Sequence, residues 1–238
     1  MRIALAFYGQ LRDIDIAFPY WKINVLRPLK IQDIFVHTYR EEIDQYKTNF
    51  LKTSSFKVGP SVLKQFYELY NPKVVMHSEY EDVKKTGYYF EPTERVRFCV
   101  TNPFTFQASF FSLYNVMKLI NEYDYDAVIV SRTDTIFVKP IETLPIVPHE
   151  LLTSTFMYDK NFDGQFWSVS DMVNAGSVET IKDFAEVGVN YKKLYDGGIT
   201  FHPETLIGEN LKALDVNVNP FFKYKEEHYL IRDQKYME

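Results

Sequence analysis

An arginine and an aspartate two residues apart, Arg132 and Asp134, stand where an apolar run ends in Tyr125-Asp-Ala-Val-Ile-Val-Ser-Arg-Thr-Asp134. The run Ala127 to Val130 has the composition of a buried strand, and a second apolar run begins at Ile136. A guanidinium forks onto phosphate oxygens. A single carboxylate is enough to hold a Mg2+-type ion whose other ligands are phosphates and water. The pairing therefore fits a site for a phosphorylated ligand. The competing reading is a strand end closed by an Arg–Asp surface pair. In either case the Asp134 carboxylate is expected to contribute little to the core.

Two more strand ends carry polar residues: Gly9-Gln10-Leu11-Arg12 and His37-Thr38-Tyr39-Arg40. In open α/β sheets ligands bind beyond the carboxyl ends of the strands. Arg12, Arg40 and Arg132 at such ends would suit a diphosphate, and Gly9 would let backbone approach it closely. The chain has neither a Walker A pattern nor Gly-x-Gly-x-x-Gly, so no P-loop or dinucleotide fingerprint is supported. Asp163-Gly-Gln-Phe166 is a turn, or else supplies the acid or base that faces an acceptor hydroxyl. In Phe201-His202-Pro203-Glu204 the histidine is expected at a helix start. There the helix dipole disfavours the imidazolium and leaves a neutral nitrogen for a metal or ligand; the alternative is a capping histidine. The same dipole accounts for Glu204. His37 and His77 mark strand ends, His228 has no partner in sequence, and none of the three is assigned chemistry.

These residues need elements to carry them. Arg2 to Tyr8, Asp33 to Thr38 and Lys73 to His77 read as strands. Residues 40–71 are polar and helical in tendency, and a helix is expected to open near Pro19, where proline suits a first turn. From Ser78 to Val100 no period is visible, as in a long loop beside a binding site. Asn102-Pro103 pairs a capping residue with a first-turn proline. Phe106, Phe110, Leu113, Met117 and Ile120 then recur at steps of four and three, one apolar helix face. This strand–helix alternation predicts an α/β sheet, mostly parallel. Beyond Pro140, residues 151–157 and 165–169 read as shorter strands. Ser177 caps a helix to about Tyr195, ended by Gly197-Gly198. Pro203 opens another, with Leu206, Ile207, Leu211 and Leu214 inward. The charged tail from Lys223 is expected to be loosely held.

The 238 residues suffice for a substantial core. A net charge of -5 argues against a broad nucleic-acid surface. The 20 Phe and 18 Tyr are unusually many; core packing accounts for most of them, and a surplus of tyrosine also suits surfaces that stack on flat or sugar-like ligands. The single cysteine, Cys99, excludes an internal disulfide and fits a reducing compartment. No signal peptide and no membrane-spanning run is visible, so a cytoplasmic location is expected, with any membrane-linked substrate met from the cytosolic side.

Taken in order, Gly9-Gln10-Leu11-Arg12, Asp33-Ile-Phe-Val-His-Thr38, Tyr125 to Asp134, Asp163-Gly-Gln-Phe166 and Phe201-His-Pro-Glu204 resemble a family. It is a group of glycosyltransferase-like proteins from bacterial surface-polysaccharide loci, phages and large DNA viruses, similar to the WavE-type lipopolysaccharide-synthesis proteins. The resemblance covers residue 2 to about 215. It implies a single GT-A-like domain with a Rossmann-like mixed sheet flanked by helices. Residues 1–140 would form the nucleotide-sugar-binding half, 141–222 the acceptor-binding half and 223–238 a tail. The implied activity is transfer of a sugar from a nucleotide-diphosphate sugar to a glycan or related acceptor. Gly9, Gln10, Arg12, Arg132 and Asp134 would hold the donor, Asp134 and His202 a Mn2+ or Mg2+ ion, and Asp163 would act as base. The family's Asp-x-Asp motif falls on Arg132-Thr133-Asp134, with Arg132 in place of the first carboxylate. That reversal of charge opens the alternatives of metal-independent catalysis or of a degenerate domain that binds without turnover. A nucleotidyltransferase on the same scaffold would be expected to carry a basic Gly-rich loop after the first strand, where only Gly9 stands.

Overall fold

Side chains alternate across the first strand, β1 (Ile3–Tyr8): Ala4, Ala6 and Tyr8 enter one apolar layer, Ile3, Leu5 and Phe7 the other. A strand apolar on both faces has to lie inside a sheet that is covered on both sides. The structure, a computed structural model, describes residues 1–40, 46–48, 51–54, 60–94, 103–155, 159–162 and 166–231. After β1 come α1 (Ile14–Trp21), which runs on through a π-helical turn at Lys22–Leu26, β2 (Asp33–Tyr39), β3 (Tyr46–Thr48) and β4 (Leu51–Ser54). Then follow α2 (Pro60–Tyr70), β5 (Val74–Ser78), α3 (Tyr80–Lys84), α4 (Pro103–Ile120), β6 (Ala127–Ser131) and β7 (Thr135–Phe137). The second half holds β8 (Glu150–Ser154), β9 (Asp159–Phe162), β10 (Phe166–Ser168), β11 (Val173–Gly176) and α5 (Val178–Ala185). It closes with α6 (Val187–Asp196), α7 (Pro203–Ala213), β12 (Asn217–Phe222) and β13 (His228–Leu230).

A 7-stranded mixed sheet runs in the order β12-β8-β11-β6-β1-β2-β5. Helices α4, α5, α6 and α7 pack on one face, around Phe110, Leu113, Ile181, Tyr191 and Leu206. On the other face lie α1, α2, β7 and β13. There Phe7 meets Trp21, Tyr70 and Phe66 edge to face at 5.0, 5.4 and 5.9 Å, each pair adding ~1 kcal/mol to the burial itself. The α/β class, a mixed sheet flanked by helices, is thus present and is compatible with a Rossmann-like fold. The sheet is mostly parallel, as the sequence predicts, and mixed because β11 alone runs antiparallel to its neighbours β6 and β8.

This topology fixes where a ligand can sit. From β1 the chain builds outward to β2 and β5, and α4 then carries it back so that β6 joins the other side of β1. Such a reversal opens a crevice at the carboxyl ends of the two central strands. The register levels those ends, with Phe7 opposite Ser131 and Tyr8 opposite His37. Because β11 is antiparallel, with Val173 opposite Ser131, the loop before it reaches the same edge of the sheet.

Several expectations change. α1 opens at Ile14 rather than Pro19, which lies inside it. Ile14, Ala17 and Trp21 form its buried face, and burying them outweighs the hydrogen bond that Pro19 cannot make. The stretch 40–71 is not helical throughout: β3 and β4 pair ahead of α2. Within 78–100, α3 is opened by a capping box between Glu79 and Asp82; Cys99, and the expected cap Asn102, lie outside the described residues. The helix from Ser177 is two, divided at Glu186, with Ser177 Oγ accepting from the Thr180 amide at 3.2 Å. The tail is anchored as far as Ile231. β13 pairs with β7, and His228 Nε2 meets Ser154 Oγ at 2.8 Å. No helix among the described residues is long and apolar enough to cross a membrane.

Candidate functional site

Thr133 joins the loops that leave β1 and β6. Its buried Oγ1 accepts the Arg12 amide at 2.9 Å and lies 3.1 Å from the Arg12 carbonyl, to which its proton can be given. Arg12 reaches back to Gln10, Nη2 to Oε1, at 3.2 Å. Gly9 takes a left-handed φ of 84°, and a Cβ added there would meet nothing within 4 Å. The glycine is thus needed for its backbone conformation, and the space beside it is open.

The Arg132 guanidinium lies across the crevice. Nε and Nη2 donate to the two oxygens of Asp134 at 3.0 and 2.8 Å, a bidentate fork. Nη1 faces Asp171 Oδ2 at 3.6 Å. Burial opposes the charge of Arg132, but Asp134 and then Asp171 outweigh it and hold its pKa above the ordinary arginine value. Asp171 stands in the loop ahead of β11, whose backbone is pinned to both central strands. The Tyr8 hydroxyl donates to the Asp171 carbonyl, while the Met172 carbonyl accepts from Ser131 Oγ at 2.9 Å and from the Arg132 amide at 3.2 Å. Burial, then the negative charge of Asp171, pushes the Tyr8 phenol well above its usual range, so it remains a donor.

A second layer steadies Gly9. Its amide donates to Ser112 Oγ at 2.6 Å, and that hydroxyl donates to the His37 carbonyl at 2.8 Å. With its one proton spent, Ser112 can only accept from His37 Nδ1, 2.9 Å away. The proton is therefore on Nδ1, and Nε2 accepts from Ser78 Oγ at 3.0 Å. Burial, and secondarily His77, lowers the His37 pKa to about 3.

The segments of Gly9, Gln10 and Arg12 and of Arg132 and Asp134 are thus tied together by Thr133 at the carboxyl ends of β1 and β6. Arg40 is not: it lies on the surface, 3.9 Å from Glu79. His202 does begin α7, but its side chain makes no cap bond. Its Nδ1 is set against Thr205 Oγ1 at 3.3 Å and Glu204 Oε2 at 3.4 Å. Asp163 lies outside the described residues. The view of Asp134 as marginal to the core is overturned: its side chain is 5% exposed and locked to Arg132. A divalent ion on Asp134 would have to share an oxygen that already accepts from Arg132. Among the described residues no group of three or more His, Cys, Asp or Glu is placed to hold a metal. As arranged, the carboxylate does not fit that role, and the chemistry below uses the arginines.

Compared with protein-family models and with curated proteins, the chain has no match. The site therefore has to be read from its own geometry. Sequence reading missed Asp171, Tyr8, Thr133 and Ser112. Thr133 sat inside the quoted motif, and only its clamp on Arg12 gives it a role. Asp171 carried one faint signal, a Ser-Asp pair just ahead of the apolar residues Met172 and Val173.

Proposed function

We propose that this chain is a glycosyltransferase of GT-A-like architecture that takes a nucleotide-diphosphate sugar as donor and a glycan or related polymer as acceptor. One observation carries the reading: Thr133 clamps the loop Gly9–Arg12 to the turn Arg132–Asp134 at the reversal point of the sheet. The segments that carry Arg12, Arg132 and an open glycine backbone are then held at neighbouring strand ends, where two guanidiniums would suit a diphosphate. As the sugar–phosphate bond breaks, negative charge grows on the leaving diphosphate, and donors fixed beforehand stabilise it without reorganising. Asp134 does the fixing for Arg132, and Gln10 for Arg12. Asp163, close before β10, remains the proposed base for an acceptor hydroxyl.

Titration of UDP-, GDP- and dTDP-sugars by calorimetry, with a CMP-sugar as the single-phosphate control and each with and without Mn2+, tests the reading. Metal-independent binding of one diphosphate class, weakened by Arg132→Ala more than binding of the free nucleoside, is expected. Equal losses for both ligands would make Arg132 structural only. A second reading, a domain that binds a nucleotide or glycan without turnover, is favoured by the closed Arg132–Asp134 fork. Donor binding with no transfer or hydrolysis across an acceptor panel would select it.

A further inference from the structure

A guanidinium has five N–H groups, and two of those on Arg132 are spent on Asp134. Three remain, both on Nη1 and the second on Nη2, and the partner of Nη1 among the described residues is Asp171. At 3.6 Å this contact is longer than an N–H···O hydrogen bond, so it is an ion pair held without a bond. The two carboxylates also differ in exposure, 5% for Asp134 against 17% for Asp171. Of the two carboxylates on Arg132, itself 17% exposed, Asp171 at Nη1 is thus the one nearer to solvent.

The Asp171 carboxylate does not hold its own loop. Among the described residues, the hydrogen bonds on residues 170–172 use their main-chain atoms, the Ser170 hydroxyl, and the side chains of Tyr8, Ser131, Thr135 and Asn174, not the Asp171 carboxylate. Its contribution at this place is charge. One formal positive and two formal negative charges meet there, so Arg132 is already over-neutralised before any phosphate arrives. We infer that Asp171 is a stand-in for the ligand's anion: it covers the Nη1 edge of Arg132 in the empty protein, is displaced by a diphosphate, and thereby sets how tightly the site takes one. This rests on the diphosphate reading above and adds to it a residue that tunes affinity. A weak grip has a use in a transferase, because the nucleoside diphosphate left after transfer must depart, and a returning carboxylate helps expel it.

The test is calorimetric titration of the full chain with inorganic pyrophosphate, UDP, GDP and dTDP at low salt, comparing wild type with Asp171→Asn and Asp171→Glu. A unit charge at about 4 Å is worth ~1 kcal/mol even in water, a factor of about five. Asp171→Asn is therefore expected to bind pyrophosphate and the preferred nucleotide about fivefold tighter or more. The gain should shrink in 0.5 M salt, and the melting temperature should stay near that of wild type. Asp171→Glu, which keeps the charge, should not show the gain. Equal or weaker binding by Asp171→Asn, with the wild type binding normally, overturns the inference and leaves the donor reading standing. A melting temperature lowered as far as that of Arg132→Ala overturns it too, by showing the carboxylate to be structural. If no protein in the set binds any of the four ligands, both the inference and the donor reading fall.

Discussion

Arg132 can meet a phosphate only with what Asp134 leaves of it, and that division of one guanidinium between fold and ligand governs the site at the scale of single residues. Removing one member of a buried pair costs about 3 kcal/mol or more where the other is left uncompensated, but Arg132 keeps Asp171 at 3.6 Å. Asp134→Ala is accordingly expected to lower stability by about 1–3 kcal/mol, for the two hydrogen bonds lost, in urea denaturation; a change within error would return Asp134 to the marginal role its strand-end position implies. Thr133→Val keeps the shape and removes the clamp on Arg12. The expected result is a loss of ~1–2 kcal/mol in stability together with weaker diphosphate binding. Unaltered binding in a folded Thr133→Val protein would remove the clamp from the argument. The types and spacing of Arg132 and Asp134 were legible in the sequence because both stand in one strand-end motif. Their pairing was legible too, as the competing reading of a strand end closed by an Arg–Asp pair, but its burial was not, since the side chains prove only 17% and 5% exposed. Asp171 was illegible for a different reason: it joins Arg132 only through the antiparallel pairing of β11.

Elements were readable in proportion to their length and period. β1, β2, β6, α4 and α7 declare themselves by continuous apolar runs or by steps of three and four. β7, β11 and β13 have three or four residues each, too few for a period, and they are strands because a partner is already in place. The contact between α4 and α6 was equally hidden, yet it is close. A Cβ on Gly188 would stand 2.5 Å from the Phe110 carbonyl and 2.7 Å from Tyr114 Cβ. Gly188→Ala has to push the two helices apart, and a loss of ~1–3 kcal/mol is expected from such overpacking, read as a lowered melting temperature. An unchanged melting temperature would mean that α6 can slide on α4 without cost. Gly9→Ala tests the opposite case. With open space around the Cβ and a φ of 84°, its cost is backbone strain alone, ~1–2 kcal/mol.

On the scale of the whole molecule, acid should unfold it through its histidines. Burial lowers His37 to about 3 and His228 to about 4, from an ordinary 6.5. Below pH 6.5 the unfolded chain takes up protons that the folded chain refuses. The stability these rings contribute is therefore full above that pH and is lost as pH falls toward 4, at about 1.4 kcal/mol per pH unit for each histidine. Urea midpoints at pH 7, 6 and 5 should fall in that order, and His37→Gln should flatten the slope; a pH-independent midpoint would contradict the buried neutral rings. The α/β class was legible at this scale from the strand–helix rhythm, whereas the antiparallel β11 was not, because nothing in four residues records direction. That one reversed strand also dictates when the site can exist. Tyr8 finds the Asp171 carbonyl 163 residues further on, and Arg12 finds Thr133 after 121. During translation β1 is made long before β6, so one edge of a strand apolar on both faces waits unpaired while the chain between them is added. Such an edge is a place for wrong partners to bind, and the arginines that give the crevice its purpose come together only once most of the protein has been synthesised.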